Sequence, residues 1–122
     1  MNKEMKSHIA FYDFMQWLSK DENVQRKGYT LKAFVTYETN KDDYSFYNEE
    51  QTVLVTTDSQ KGGSIVFPDI DSDMYFPGFD VIFQDFVFDE KKEELVIRSR
   101  KTSNYKAFST YCVTIRNMKK IN

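Results

Sequence analysis

The sequence predicts an α+β domain in which one N-terminal helix precedes about six mostly antiparallel strands, forming a small β-barrel or curved sheet. Three observations carry this reading. Apolar residues recur at helical spacing only between Lys3 and Lys20, the period changes to two from Tyr29 onward, and turn-forming clusters punctuate the rest. With 122 residues the chain has the length of one domain, so a single unit over 1–122 is expected.

In the helix, Phe11, Phe14, Met15 and Leu18 form one apolar stripe. Ile9, Tyr12 and Trp17 fall off its centre, which makes the helix apolar around more than half of its circumference. Such a helix is either covered on two sides or presents a face to a partner, for example as a homodimer. Ser19-Lys20-Asp21-Glu22-Asn23 then supplies helix-ending and loop chemistry.

Tyr29, Leu31, Ala33, Val35 and Tyr37 alternate with polar neighbours, interrupted only by Phe34 on the polar side, and this is the pattern of a half-buried strand. After the turn at Asn40-Lys41-Asp42-Asp43, Tyr44 to Tyr47 and Thr52 to Thr57 read as one broken strand or two short ones. Ser59-Gln60-Lys61-Gly62-Gly63 is a turn, because glycine reaches positive φ without steric cost. A strand over Ser64 to Phe67 follows, and residues 68–78 form a long loop bounded by the two prolines. From Phe79 to Asp89 the alternation slips near Gln84 and Asp85, where a bulge would restore one buried face. Leu95 to Arg100 and Tyr105 to Arg116 complete the sheet.

Composition limits the chemistry. Eleven Phe and eight Tyr raise the aromatic content to 16%, so bulky rings must fill the core. Cys112 has no second cysteine to pair with, which favours a reducing compartment, and cytoplasm is expected. No apolar run has the length of a signal peptide or of a membrane span. One His and one Cys leave little for catalysis: Cys112 lies within a strand pattern, His8 at the start of an apolar helix, and no glycine-rich phosphate loop is present. The chain is therefore expected to bind rather than catalyse, with no cofactor. Asp69, Asp71, Asp73 and Asp80 are spaced like part of a calcium loop, but Met74 replaces the required glycine, so no metal is expected and an acidic solvated loop is the preferred reading.

The charge distribution is more informative than the net charge of −2. All nineteen acids lie at or before Glu94 beside ten Lys and Arg, whereas the last 28 residues carry seven cations and no acid. Asymmetry of this kind points to an anionic partner for the basic end or to pairing within the fold. If the last two strands pair, Arg98 and Arg100 share one sheet face, and Lys106, Phe108 and Arg116 share a face of the neighbouring strand. Lys101 and Tyr105 extend the group at the turn, and Lys119 and Lys120 add a flexible basic tail. Were those two faces the same, cations would surround an exposed ring and hold phosphates while the ring stacks on an unpaired base, so single-stranded RNA is the expected partner.

The helix Phe11-Tyr12-Asp13-Phe14-Met15-Gln16-Trp17-Leu18, leading into a short-stranded aromatic domain with a basic end, resembles the PrgU-like small regulators of enterococcal pheromone-responsive conjugative plasmids. That resemblance covers the whole chain. It implies a PUA-like β-barrel that binds RNA and restrains expression of transfer or surface-adhesin genes. The competing expectation is an acidic protein-binding inhibitor, a phage or mobile-element anti-defence protein that mimics nucleic acid through the first 94 residues, with Asp69, Asp71 and Asp73 engaging a host protein.

Overall fold

A computed structural model describes residues 2–24, 26–39, 46–58, 62–69, 78–99 and 111–121. The helix, α1, spans Lys3–Leu18. Asn2 caps it by accepting the Met5 N–H at 2.8 Å through its side-chain oxygen, satisfying one of the amides a helix start leaves unpaired. Among the described residues seven strands follow: β1 (Gly28–Thr39), β2 (Phe46–Thr56), β3 (Ser64–Val66), β4 (Gly78–Asp80), β5 (Gln84–Asp89), β6 (Glu94–Ser99) and β7 (Tyr111–Lys120). They form one antiparallel sheet in the order β4-β3-β2-β1-β7-β6-β5. No helix is long and apolar enough to cross a membrane among the described residues.

The two edge strands are consecutive in the chain. A three-residue 3₁₀ turn, Val81–Phe83, carries the backbone from the end of β4 to the start of β5, and the Val81 N–H donates to the Gly63 carbonyl at 2.9 Å. The sheet therefore curls into a nearly closed barrel, which limits exposure of unpaired strand edges. This turn also explains the slip in alternation near Gln84 and Asp85. It is not a bulge: the chain leaves one sheet edge and enters the other, burying Val81 and leaving Phe83 63% exposed.

Helix α1 packs on β5 and the 3₁₀ turn. Its buried Ser7 hydroxyl accepts the Phe86 N–H at 3.0 Å and donates to the Gln84 carbonyl at 2.9 Å, taking the place of a neighbouring strand on the edge of β5. Phe11 packs edge-on to Phe86, and Phe14 lies 5.2 Å from Phe88. Gly63 has φ 145°, and a Cβ there would sit 2.3 Å from the Phe11 ring, so glycine at the turn permits the helix to close in. The core contains Phe14, Leu31, Val35, Val53, Phe67, Phe79, Leu95 and Ile115, all almost fully buried. Each such side chain contributes roughly 1.5–3 kcal/mol on burial.

Several expectations change. Among the described residues there are seven strands instead of about six, because the expected strand from Phe79 to Asp89 is two. Within the described part of Tyr44 to Thr57, the chain forms the single strand β2. The last strand runs to Lys120, past the expected end at Arg116. It carries a bulge: Asn117 and Met118 stand opposite Ala33, with Asn117 at φ 54°.

Candidate nucleic-acid interface

Strand alternation fixes which side chains face outward. Leu31, Ala33, Val35, Leu95, Ile97, Val113 and Ile115 are buried, so Lys32, Phe34 and Thr36 on β1, Thr114 and Arg116 on β7, and Val96 and Arg98 on β6 occupy the outer face. Phe34 pairs in register with Arg116, and the guanidinium carbon lies 5.1 Å from the centre of its ring. This is cation–π geometry on a half-buried aromatic. Beyond the bulge Lys32 pairs with Lys119, so two lysines follow this couple along the outer face. Lys32 also donates to Thr52 Oγ1 at 3.4 Å.

Acidic residues bound this cationic strip. Glu50 pairs with Phe34 across β2, and Glu94 lies one position beyond the Leu95–Ile115 pair, beside Arg116. Arg98 is on the same face, but its row across the sheet reads Asp85, Arg98, Cys112, Glu38, a mixed-sign arrangement. Arg116 lies four positions along β7 from Cys112 in this row, about 13 Å along the strand. The strip is therefore one to two strands wide, with Arg98 at a distance from its centre.

The structure places four of the nine expected site residues. Arg98 and Arg116 share the outer face, a relation the sequence leaves open, and Lys119, which belongs to β7 and not to a flexible tail, extends it. Lys120 departs from expectation. It belongs to β7 and not to a flexible tail, and it pairs with Leu31 on the inward side. There its ammonium donates to the Leu18 carbonyl at 2.6 Å and to Asp21 Oδ1 at 2.5 Å, and lies 5.7 Å from the Tyr29 ring centre. These contacts hold it against the end of α1. Arg100, Lys101, Tyr105, Lys106 and Phe108 lie outside the described residues, as do Asp71 and Asp73 of the acidic loop.

Two residues of the strip, Lys32 and Phe34, were missed in reading the site from sequence. The signal was present, because Phe34 alone breaks the polar side of the β1 alternation.

Other chemistry is sparse among the described residues. No three His, Cys, Asp or Glu side chains are grouped to hold a metal ion. His8 lies against Gly62 on the helix side, whereas Cys112 is on β7 between Arg98 and Glu38 in register, so the two belong to different parts of the fold. A cleft of about 230 Å³ between Trp17, Lys20, Glu93 and Met118 is smaller than the ~300–1,000 Å³ usual for small-molecule sites. Compared with known proteins, the chain matches no protein-family model, no curated protein and no solved structure at a significant level.

Proposed function

We propose that the chain is a non-enzymatic regulatory module that binds single-stranded RNA across the outer face of β1 and β7. The observation that carries this reading is the Arg116 guanidinium over the Phe34 ring, with Lys32 and Lys119 as the adjacent register pair. A base stacks on the ring or enters between ring and guanidinium, while the ammonium groups neutralise the flanking phosphates. The narrow cationic strip and its acidic borders suit one nucleic-acid backbone better than the two of a duplex. Control of gene expression on a mobile element is what the resemblance to the plasmid regulators adds.

The test is fluorescence anisotropy of a short labelled single-stranded RNA, titrated with protein at several salt concentrations. Binding is expected at low salt, weakening as salt rises. Phe34→Ala should reduce affinity by roughly 5- to 150-fold, the range of ~1–3 kcal/mol for one stacked base. Arg116→Glu should flatten the salt slope by about 0.7 for each phosphate that is no longer neutralised. Absence of binding at low salt, or binding indifferent to both changes, overturns the reading.

A further inference from the structure

Helix α1 docks on β5 through Ser7, Phe11, Phe14 and Leu18, and this leaves its opposite side uncovered in the single chain. On that side stand Met5, Ile9 and Tyr12, spaced i, i+4 and i+7, with 53%, 45% and 61% of their surfaces exposed. The spacing places all three on one line along the helix. An apolar line of this kind marks an interaction surface.

The charges beside the line select its occupant. Lys6 and Asp13 are both exposed and lie seven residues apart, so they sit on the same flank of the stripe about 10.5 Å from each other. The midpoint between them falls next to Ile9. A second copy of the helix, related by a two-fold axis passing near Ile9, runs antiparallel and brings Lys6 of each copy against Asp13 of the other. Met5 of one chain then meets the neighbourhood of Tyr12 of its mate, and the two Ile9 side chains meet near the axis. A parallel two-fold pair would instead carry the Lys6–Asp13 flanks of the two copies to opposite sides of the seam, where neither residue meets its complement on the other copy. The Lys6–Asp13 pattern is thus self-complementary in the antiparallel arrangement, as a two-fold, isologous interface requires.

We infer that the chain forms a two-fold homodimer by antiparallel packing of α1 on α1, with Ile9 at the axis and reciprocal Lys6–Asp13 pairs. Sixteen residues of helix span about 24 Å, so one helix pair buries less than the ~1,200–2,000 Å² of a standard stable interface. The dimer is therefore reversible and favoured at high protein concentration. The interface uses α1, whereas the cationic strip uses β1 and β7, so this inference is independent of the RNA-binding reading.

Sedimentation equilibrium over a range of protein concentrations tests it. The wild-type chain should shift from monomer to dimer as concentration rises. Ile9→Glu should weaken association by about tenfold or more, by burying two like charges near the axis, with an unchanged far-UV circular dichroism spectrum because the site is exposed in the monomer. Lys6→Asp and Asp13→Lys should each weaken the dimer, and the double variant should restore it, since exchanging the two charges preserves their complementarity. A chain that stays monomeric throughout, a dimer indifferent to Ile9→Glu, or a double variant no better than either single one overturns the proposal.

Discussion

The Lys120 ammonium lies 2.6 Å from the Leu18 carbonyl oxygen, joining the end of the last strand to the end of the first helix across 102 residues of sequence. The last turn of α1 contains no basic residue of its own, so β7 supplies the cation that the negative end of the helix favours. The same ammonium reaches Asp21 and faces the Tyr29 ring, tying helix end, loop and barrel floor together.

Lys120→Met retains most of the unbranched stem but removes the charge. The expected loss is about 1 kcal/mol, from the helix-end interaction and the hydrogen bond to the main chain. For a domain of this size that lowers Tm by roughly 3–6 °C. Calorimetry of the two proteins at neutral pH checks this, and an unchanged Tm would show that the contact contributes nothing.

The hydrogen bond from Lys120, followed by that from the backbone, holds the exposed Asp21 carboxyl below its ordinary value of 3.8. A lowered pKa in the folded state means that the stabilising pair is fully present above 3.8 and is lost as pH falls through the folded value. Observed by NMR, the Asp21 carboxyl should titrate below 3.8, and Lys120→Met should move its midpoint back toward that value. If the midpoint does not respond, Lys120 is not the cause of the shift.

Ser7→Ala leaves the Phe86 N–H and the Gln84 carbonyl on the β5 edge without their shared hydroxyl. Leaving a buried group unsatisfied costs about 1–3 kcal/mol. Urea unfolding should show a lower midpoint with an unchanged slope, and hydrogen exchange should show the Phe86 amide losing protection before amides of β1. Retained protection at Phe86 would mean that the hydroxyl does not act as a surrogate strand neighbour.

That role for Ser7 was not legible in the sequence, where a single serine on an apolar helix gives no sign that it faces an open strand edge. The helix stripe was legible, because Phe11, Phe14, Met15 and Leu18 state its period directly. So was the burial of alternate residues in β1, which follows from the strand period of two, whereas the shared outer face of Arg98 and Arg116 depends on the register between β6 and β7. What escaped was set by long-range geometry. The change at Val81–Phe83 resembles a bulge locally and becomes a passage between sheet edges only when β4 and β5 are placed at opposite ends of the strand order. Lys120 looked like part of a basic tail because nothing before it in sequence announces the extra residue in β7. Phe34 looked like an interruption until Arg116 was placed opposite it.

The extra residue in β7 decides which way Lys120 points. Arg116 faces outward against Phe34, and regular pairing from there would put Asn117 opposite Ala33 and Lys119 opposite the buried Leu31, turning Lys120 out to solvent. Instead Asn117 and Met118 share the place opposite Ala33, so Lys119 faces out with Lys32 and Lys120 faces in with Leu31. Asn117 adopts φ 54°, a conformation that asparagine and glycine tolerate better than other residues. Asn117→Val should therefore cost about 1–2 kcal/mol. If it irons the bulge out, it should also expose Lys120 and return the Asp21 pKa toward 3.8. Asn117→Gly should leave stability within about 0.5 kcal/mol. Deleting Asn117 gives the sharpest contrast: regular pairing then sets Met118 opposite Ala33 and still leaves Lys120 facing Leu31. The deletion should be milder than Asn117→Val in thermal unfolding and should preserve the low Asp21 pKa. A deletion more damaging than the valine substitution would show that the bulge shapes the barrel itself, beyond orienting Lys120.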